Sequence, residues 1–245
     1  MAKFKFKLKE LDVIDSTNNY LRNLDFKRLP NGYCVLADFQ TNGKGQRGNV
    51  WKSHAGENLT FSFFLKDTNI PPSDQFKLLQ LISISVLNTI NRLTGLQAKI
   101  KWPNDIMIGK QKIAGILIEN FIQSGTLNSV IGIGINVNQM VFENYSPKPT
   151  SMRKLTGEYF NLKLVLSLFE HEFSKLHDSL TPVYGLLEQE YRSHLYALGE
   201  MHAFETKSGS FMVSEVIGID RFGRLIVNAN GNPTAFLNGE LRWVF

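Results

Sequence analysis

The sequence predicts an α+β fold: a large domain in which strands and helices share one core, followed by a small all-β domain. Three observations carry this. Apolar runs of strand length (Tyr33 to Ala37, Asn58 to Leu65, Ile113 to Glu119, Val130 to Asn138) are interspersed with helical patterns. The longest helical pattern, opened by Pro71-Pro72-Ser73 and running to about Gly95, places Phe76, Leu79, Ile82, Val86, Ile90 and Leu93 at core spacing. From about Gly199 the character changes to short alternating runs separated by Gly-containing turns, the pattern of a small barrel. The expected boundary divides the chain into domains 1–196 and 197–245.

A chain of 245 residues with 43% hydrophobic content can bury a sizeable core. No stretch approaches the ~20 apolar residues of a membrane-spanning helix, and the N-terminus has no apolar signal region. The formal net charge of +5 is not gathered into a basic run, which fits an anionic substrate better than a nucleic-acid partner. The single cysteine, Cys34, excludes an intrachain disulfide framework and predicts a cytoplasmic protein with a buried, inert thiol.

Taken in order, Lys3-Phe4-Lys5-Phe6-Lys7-Leu8 alternates as a strand with one apolar face. Asp15-Ser16-Thr17-Asn18 precedes a helical pattern carrying Tyr20, Leu21 and Leu24; one of Asp15 and Ser16 suffices as N-cap, leaving polar groups over for a ligand head group. Gln40 to Trp51 then sets Gly43, Gly45 and Gly48 among Lys44, Gln46 and Arg47. Glycines allow close backbone approach, and successive N–H groups form an anion-binding nest. The loop is neither a Walker P-loop nor a dinucleotide fingerprint. The plain alternative is a mobile basic surface loop.

Asn58 to Leu65 reads as a half-buried strand. Lys101-Trp102-Pro103-Asn104-Asp105 then leads into two strands, Ile106 to Ile108 and Ile113 to Glu119, with Gly109-Lys110 at their turn. That hairpin would bring Asp105 and Lys112 together, although alone each reads as a turn residue and a solvated charge. Gly132 and Gly134 in the next strand suggest close backbone approach, with Asn136 at its end. Asn144 to Gly157 is a polar loop long enough to be a lid, and helical stretches follow at about Leu162 to Leu180 and Pro182 to Leu195.

These segments, in this order and spacing, together resemble a biotin–protein ligase. The resemblance runs through Asp15-Ser16-Thr17-Asn18, Gly43 to Gly48 with Trp51, Asn58-Leu59, Lys101 to Asp105, Lys112 to Ile116 and Gly132 to Asn138. It implies a mixed-sheet catalytic domain followed by an SH3-like β-barrel. It also implies a two-step reaction: biotin is activated with ATP as biotinyl-5′-AMP, then transferred to a lysine of a biotin carboxyl carrier protein.

On this resemblance Ser16, Thr17, Asn18, Gln40, Lys44, Gly45, Gln46, Trp51, Lys112 and Gly115 are the expected biotin-binding residues. Arg47, Gly48, Trp51, Asn104, Asp105, Lys112 and Asn136 are expected at the nucleotide. Lys112, Asp105 and Arg47 would serve the chemistry, with Asp105 facing the nucleotide and its Mg²⁺ or orienting the attacking lysine. Many relatives carry arginine where Gln46 stands and a basic residue where Asn49 stands, so this loop is less basic. The resemblance is to a monofunctional form without the N-terminal DNA-binding domain of bifunctional relatives. The expected form is a monomer or homodimer without sequence-specific DNA binding. The alternatives are a lipoate–protein ligase of the same fold, a non-catalytic biotin-binding module and a transcriptional repressor.

Overall fold

β1 (Lys7–Ile14) lies parallel to β2 (Tyr33–Gln40), joined by the short helix α1 (Thr17–Arg22). Among the described residues, the other strand pairings of the main sheet are antiparallel. β3 (Leu59–Leu65) follows the Gly loop, and the long helix α2 (Phe76–Thr94) leads to β4 (Ala98–Lys101) and β5 (Asp105–Ile108). β6 (Gln111–Gln123) and β7 (Thr126–Ile135) complete a mixed seven-stranded sheet of order β1-β2-β3-β7-β6-β5-β4. Helices α3 (Met152–Thr156), α4 (Leu162–His177) and α5 (Tyr184–Ser193) follow. The computed structural model describes residues 3–66, 70–71, 74–123, 126–177, 184–229 and 231–245.

The cross-strand register assigns the sheet two faces. One carries Phe61, Phe63, Ala114, Ile116, Ile131 and Ile133, which form a core with Leu78, Ile82 and Val86 of α2 and Phe169 and Phe173 of α4. The other carries Val35, Ser62, Phe64, Gly132, Gly134 and Val130; there Leu21 of α1 closes a second, smaller core. β3 is therefore buried along its whole length, not half-buried as its alternation predicts. Its serine and threonine face the second side, beneath α1 and the Gly loop, where solvent would otherwise stand.

Other boundaries also shift. The N-terminal alternation is right in sense but early in position: pairing begins at Lys7, opposite Tyr33, because β2 offers no partner before that residue. Phe4 is nevertheless buried, with its ring 4.8 Å from Phe173. α2 starts at Phe76 and ends in left-handed Gly95, φ 69°; Pro72 and Ser73, the expected opening, fall outside the described residues. Residues 178–180 and 182–183 of the two later helical stretches also fall outside.

The C-terminal residues form an antiparallel five-stranded sheet of order β11-β10-β9-β8-β12. Its strands are β8 (Met201–Thr206), β9 (Phe211–Ile219), β10 (Leu225–Ala229), β11 (Asn232–Phe236) and β12 (Leu241–Trp243). The two sheets share one hydrophobic cluster, in which Phe204, Val216, Leu225 and Trp243 join Ile100 and Trp102. Trp102 Nε1 donates to the carbonyl of Gly223 (2.8 Å), and Trp243 Nε1 donates to the carbonyl of Trp102 (2.9 Å).

Candidate active site

A cavity of about 830 Å³ opens on the second face of the main sheet, between α1, the Gly loop, the β5–β6 hairpin and β12. Its floor is glycine. A Cβ at Gly134 would lie 2.3 Å from the Trp51 ring, and one at Gly132 would lie 2.0 Å from Asn18 Oδ1. Any side chain at either position would displace a group lining the cavity.

At one end, α1 delivers a polar cluster. Ser16 holds the N-cap position but its side chain makes no capping hydrogen bond, whereas Asp15 accepts from Asn19 Nδ2 (2.6 Å). That neighbour holds the Asp15 carboxyl below its ordinary range. Thr17 donates its backbone N–H to Gln40 Oε1 (2.8 Å), and Thr17 Oγ1 lies 2.6 Å from Ser62 Oγ. Ser62 Oγ lies 2.5 Å from Asn18 Oδ1, and Asn18 Nδ2 donates to Glu119 (2.9 Å).

At the other end the β5–β6 hairpin carries the charges. Asp105 is buried, with Oδ1 2.6 Å from Lys112 Nζ and Oδ2 2.7 Å from Lys101 Nζ. Burial pushes the Asp105 carboxyl up; Lys112 and Lys101 outweigh it and hold the group below the usual carboxylate range. The local register explains the geometry. Asp105 opposes Gly115 and Met107 opposes Lys112, so Ile113 is an extra, bulged residue. Lys112 and Gly115, three apart, thereby share the cavity face; a regular strand would have put them on opposite sides.

Trp51 rests on the glycine floor, with Lys112 Nζ 5.6 Å from its ring centroid. Its buried Nε1 has no hydrogen-bond partner. Above it, the Gly loop makes a short turn at Gln46–Gly48 in which Arg47 adopts φ 55°. The Arg47 guanidinium donates to the carbonyl of Asn238, while Asn238 Nδ2 donates to Gln46 Oε1 (3.0 Å).

Of the residues singled out in the sequence, Ser16, Thr17, Asn18, Gln40, Lys44, Gly45, Gln46, Arg47, Trp51, Asn104, Asp105, Lys112, Gly115 and Asn136 all line this cavity. Gly48 does not; it borders a smaller hollow of about 420 Å³ behind the loop. Asn104 and Asn136 are partly spent on backbone, through Nδ2 to Ile116 (2.7 Å) and to Thr150 (2.9 Å). The expected 144–157 lid is tethered: Lys112 N–H donates to Lys148, Thr150 N–H donates to Lys112, and residues from Met152 form α3. Pairing to β6 there satisfies backbone groups that a free loop would leave to water.

Sequence reading missed Lys101, Ser62, Glu119, Asn238 and Arg242. Lys101 stands inside a motif already singled out. Asn238 and Arg242 reach the cavity from the C-terminal sheet, whereas Ser62 and Glu119 stand behind the lining residues Thr17 and Asn18, brought there by the register of β3, β7 and β6.

The profile of the biotin/lipoate A/B protein ligase family matches residues 10–136. The bifunctional ligase/repressor BirA of Bacillus subtilis is 32% identical over 227 residues, spanning 89% of this chain and 68% of that protein. A biotin–[acetyl-CoA-carboxylase] ligase of Mycobacterium tuberculosis is 24% identical over 243 residues, spanning 95% of this chain and 88% of its own length. Among solved structures, the biotin protein ligase of Aquifex aeolicus in complex with biotin and ATP superposes with a TM-score of 0.83 at 26% identity, covering 98% of this chain and 100% of that one.

Proposed function

The chain belongs to the biotin/lipoate A/B protein ligase family, and from that premise, with biotin and ATP as its substrates, we propose the route by which its residues join them. The observation that carries the proposal is the placement of Lys112: beside Asp105, facing the Gly loop, at the far end of the cavity from the α1 polar cluster.

In the first step a carboxylate oxygen of biotin attacks the α-phosphorus of ATP. The bond to the β-phosphate oxygen breaks, pyrophosphate leaves, and biotinyl-5′-AMP remains. Two anions must meet, so cations have to offset their repulsion and the charge growing at phosphorus. Lys112 is assigned to the carboxylate and α-phosphate, Lys44 and Arg47 assist, and backbone N–H groups around Gly45 and Gly115 receive oxyanions. The Ser16–Asn18 cluster and Gln40 hold the ureido ring, whose two N–H groups and one carbonyl match their mixed donors and acceptors. Trp51 covers the apolar bicycle.

In the second step the ε-amine of a carrier lysine attacks the acyl carbonyl, AMP leaves, and the amine nitrogen gives up a proton as the amide forms. The acceptor on this reading is a biotin carboxyl carrier protein or domain. The Asp105 geometry favours the orienting role over metal binding: each oxygen already faces a lysine, and the described residues contain no cluster of acidic or imidazole ligands for a cation. Mg²⁺, when bound with ATP, would be held by the nucleotide phosphates and would offset their charge. On this reading residues 1–196 form the catalytic unit and residues 197–245 a second unit that closes the nucleotide end through Asn238 and Arg242.

The test is incubation with ATP, Mg²⁺, biotin and a carrier domain. A mass increase of one biotinyl group on a single carrier lysine is the expected result. Modification by lipoate but not biotin would assign the chain to the lipoate branch.

A further inference from the structure

The polar string at the α1 end of the cavity holds more acceptors than hydrogens. Gln40 Oε1 accepts the backbone N–H of Thr17 at 2.8 Å, a group that can only donate, so this oxygen is fixed in place. At the other end Asn18 Nδ2 donates to Glu119 at 2.9 Å; a carboxylate only accepts, so Asn18 must turn Oδ1 toward Ser62. Between these acceptor ends stand two hydroxyls, Thr17 and Ser62. The successive oxygen–oxygen distances from Gln40 to Asn18 are 3.0, 2.6 and 2.5 Å. All are hydrogen-bond distances, yet two hydroxyls bring two hydrogens to three contacts. However they rotate, one contact lacks a hydrogen. Both hydroxyl hydrogens are therefore used within the string, and where Thr17, Asn18 and Gln40 line the cavity they offer an entering group oxygen lone pairs but no free hydroxyl hydrogen. A ligand that brings N–H groups can donate to these oxygens, whereas one that brings only acceptors finds no hydroxyl hydrogen in the string to accept.

We propose that Glu119 is a positioning residue that makes this pocket select N–H donors, by holding the Asn18 oxygen inward. Glu119 lies on β6, 101 residues from Asn18, and its second oxygen is steadied by Arg22 at 3.5 Å. The proposal rests on the biotin reading above: the ureido ring presents two N–H groups, whereas the dithiolane of lipoate presents none. With glutamine at position 119 the constraint is lifted. Its amide can accept or donate, so Asn18 can rotate and send Nδ2 to Ser62. Three contacts then have three hydrogens, and the preference for a donor disappears.

The experiment is a titration of biotin and of biotin methylated on a ureido nitrogen into the full chain and into Glu119→Gln and Glu119→Ala. Methylation removes a donor. The expected result is a methylation penalty in the native chain that shrinks about tenfold in either variant, on the order of one net hydrogen bond, with KM for biotin raised and kcat for adenylate formation kept. A purely structural role would weaken both ligands alike, and an unchanged penalty in both folded variants overturns the proposal. If the native chain binds no biotin, the ligase reading itself falls and takes this proposal with it, an outcome distinct from an unchanged penalty.

Discussion

Across the β5–β6 hairpin, Asp105 Oδ1 stands 2.6 Å from Lys112 Nζ, while the other oxygen of the same carboxylate is held by Lys101 at 2.7 Å. One buried anion thus fixes two ammonium groups at the edge of the cavity. Lys112→Ala removes the one assigned to the reacting phosphate. Pyrophosphate exchange should fall roughly a hundredfold or more, the ~2.7–4 kcal/mol of a positioned electrostatic donor, while biotin binding without ATP suffers less. Near-normal exchange would remove Lys112 from its role.

Asp105→Asn leaves Lys101 and Lys112 without their shared counter-charge. The expected loss is about 3 kcal/mol at neutral pH, as for one partner removed from a buried pair, read as a lower urea midpoint. The pH dependence has a defined sign. The folded carboxyl is held below its ordinary value, so its stabilisation is complete above about pH 4. It is lost as the pH falls through the lower folded value. The gap between native and variant should therefore narrow only in strong acid; a gap that closes between pH 5 and 7 would contradict the assignment.

Gly134→Ala tests the contact between the sheet and Trp51. A Cβ there would stand 2.3 Å from the ring, so the indole must move or the strand must bend, at a cost of ~1–3 kcal/mol. Adenylate formation should drop. Trp51→Ala removes the obstacle, so the double variant should be more stable than the sum of the single effects predicts. Strict additivity in a thermal or urea series would show that the two groups do not touch.

The Gly loop and the β11–β12 turn form another pair. Arg47 donates to the Asn238 carbonyl and Gln46 accepts from its amide. Arg47→Ala should release biotinyl-AMP clearly faster, by the ~1.5–3 kcal/mol of a charge-assisted hydrogen bond. Gln46→Arg should slow release by less than tenfold, because Lys44 and Arg47 already supply cations. The measurement is loss of bound label after loading with labelled biotin and ATP in the absence of a carrier. A slowing of about tenfold or more, 1.4 kcal/mol, would show that the native loop leaks.

Cys34 is fully buried, and burial pushes its thiol up, with Glu170 adding in the same direction. The folded chain should resist alkylation at neutral pH and react once urea unfolds it. Labelling without unfolding would mean that β2 opens locally.

The sequence was informative where chemistry and local geometry coincide. The Gly loop, the Asp105–Lys112 hairpin and the two glycines of β7 carry their constraints in adjacent residues, and they meet in space as expected. The C-terminal run boundaries Met201 to Thr206 and Phe211 to Ile219 coincide with β8 and β9, since Gly-containing turns delimit them. What was not legible depends on partners far away in the chain. β4 is four residues long, too short for periodicity to declare it. β3 hides its polar side under α1, a fact that alternation reports as solvent exposure. Ser62 and Glu119 acquire meaning only from the register of β3, β7 and β6, and the bulge at Ile113 has no local mark.

The pairing of β3 with β7 also sets an order of events in synthesis. Leu59 lies opposite Ile135, and Leu65 opposite Ser129. A nascent chain that has emerged only through α2 holds β1, β2 and β3 with one long edge of β3 bare, and the glycine floor, Gly132 and Gly134 of β7, does not yet exist. Long-range pairing of this kind is slow because the intervening chain must close first. Until Thr126 to Ile135 arrives, the unpaired edge of β3 is a template for a chaperone or another strand, and the growing chain has nowhere to hold its substrate.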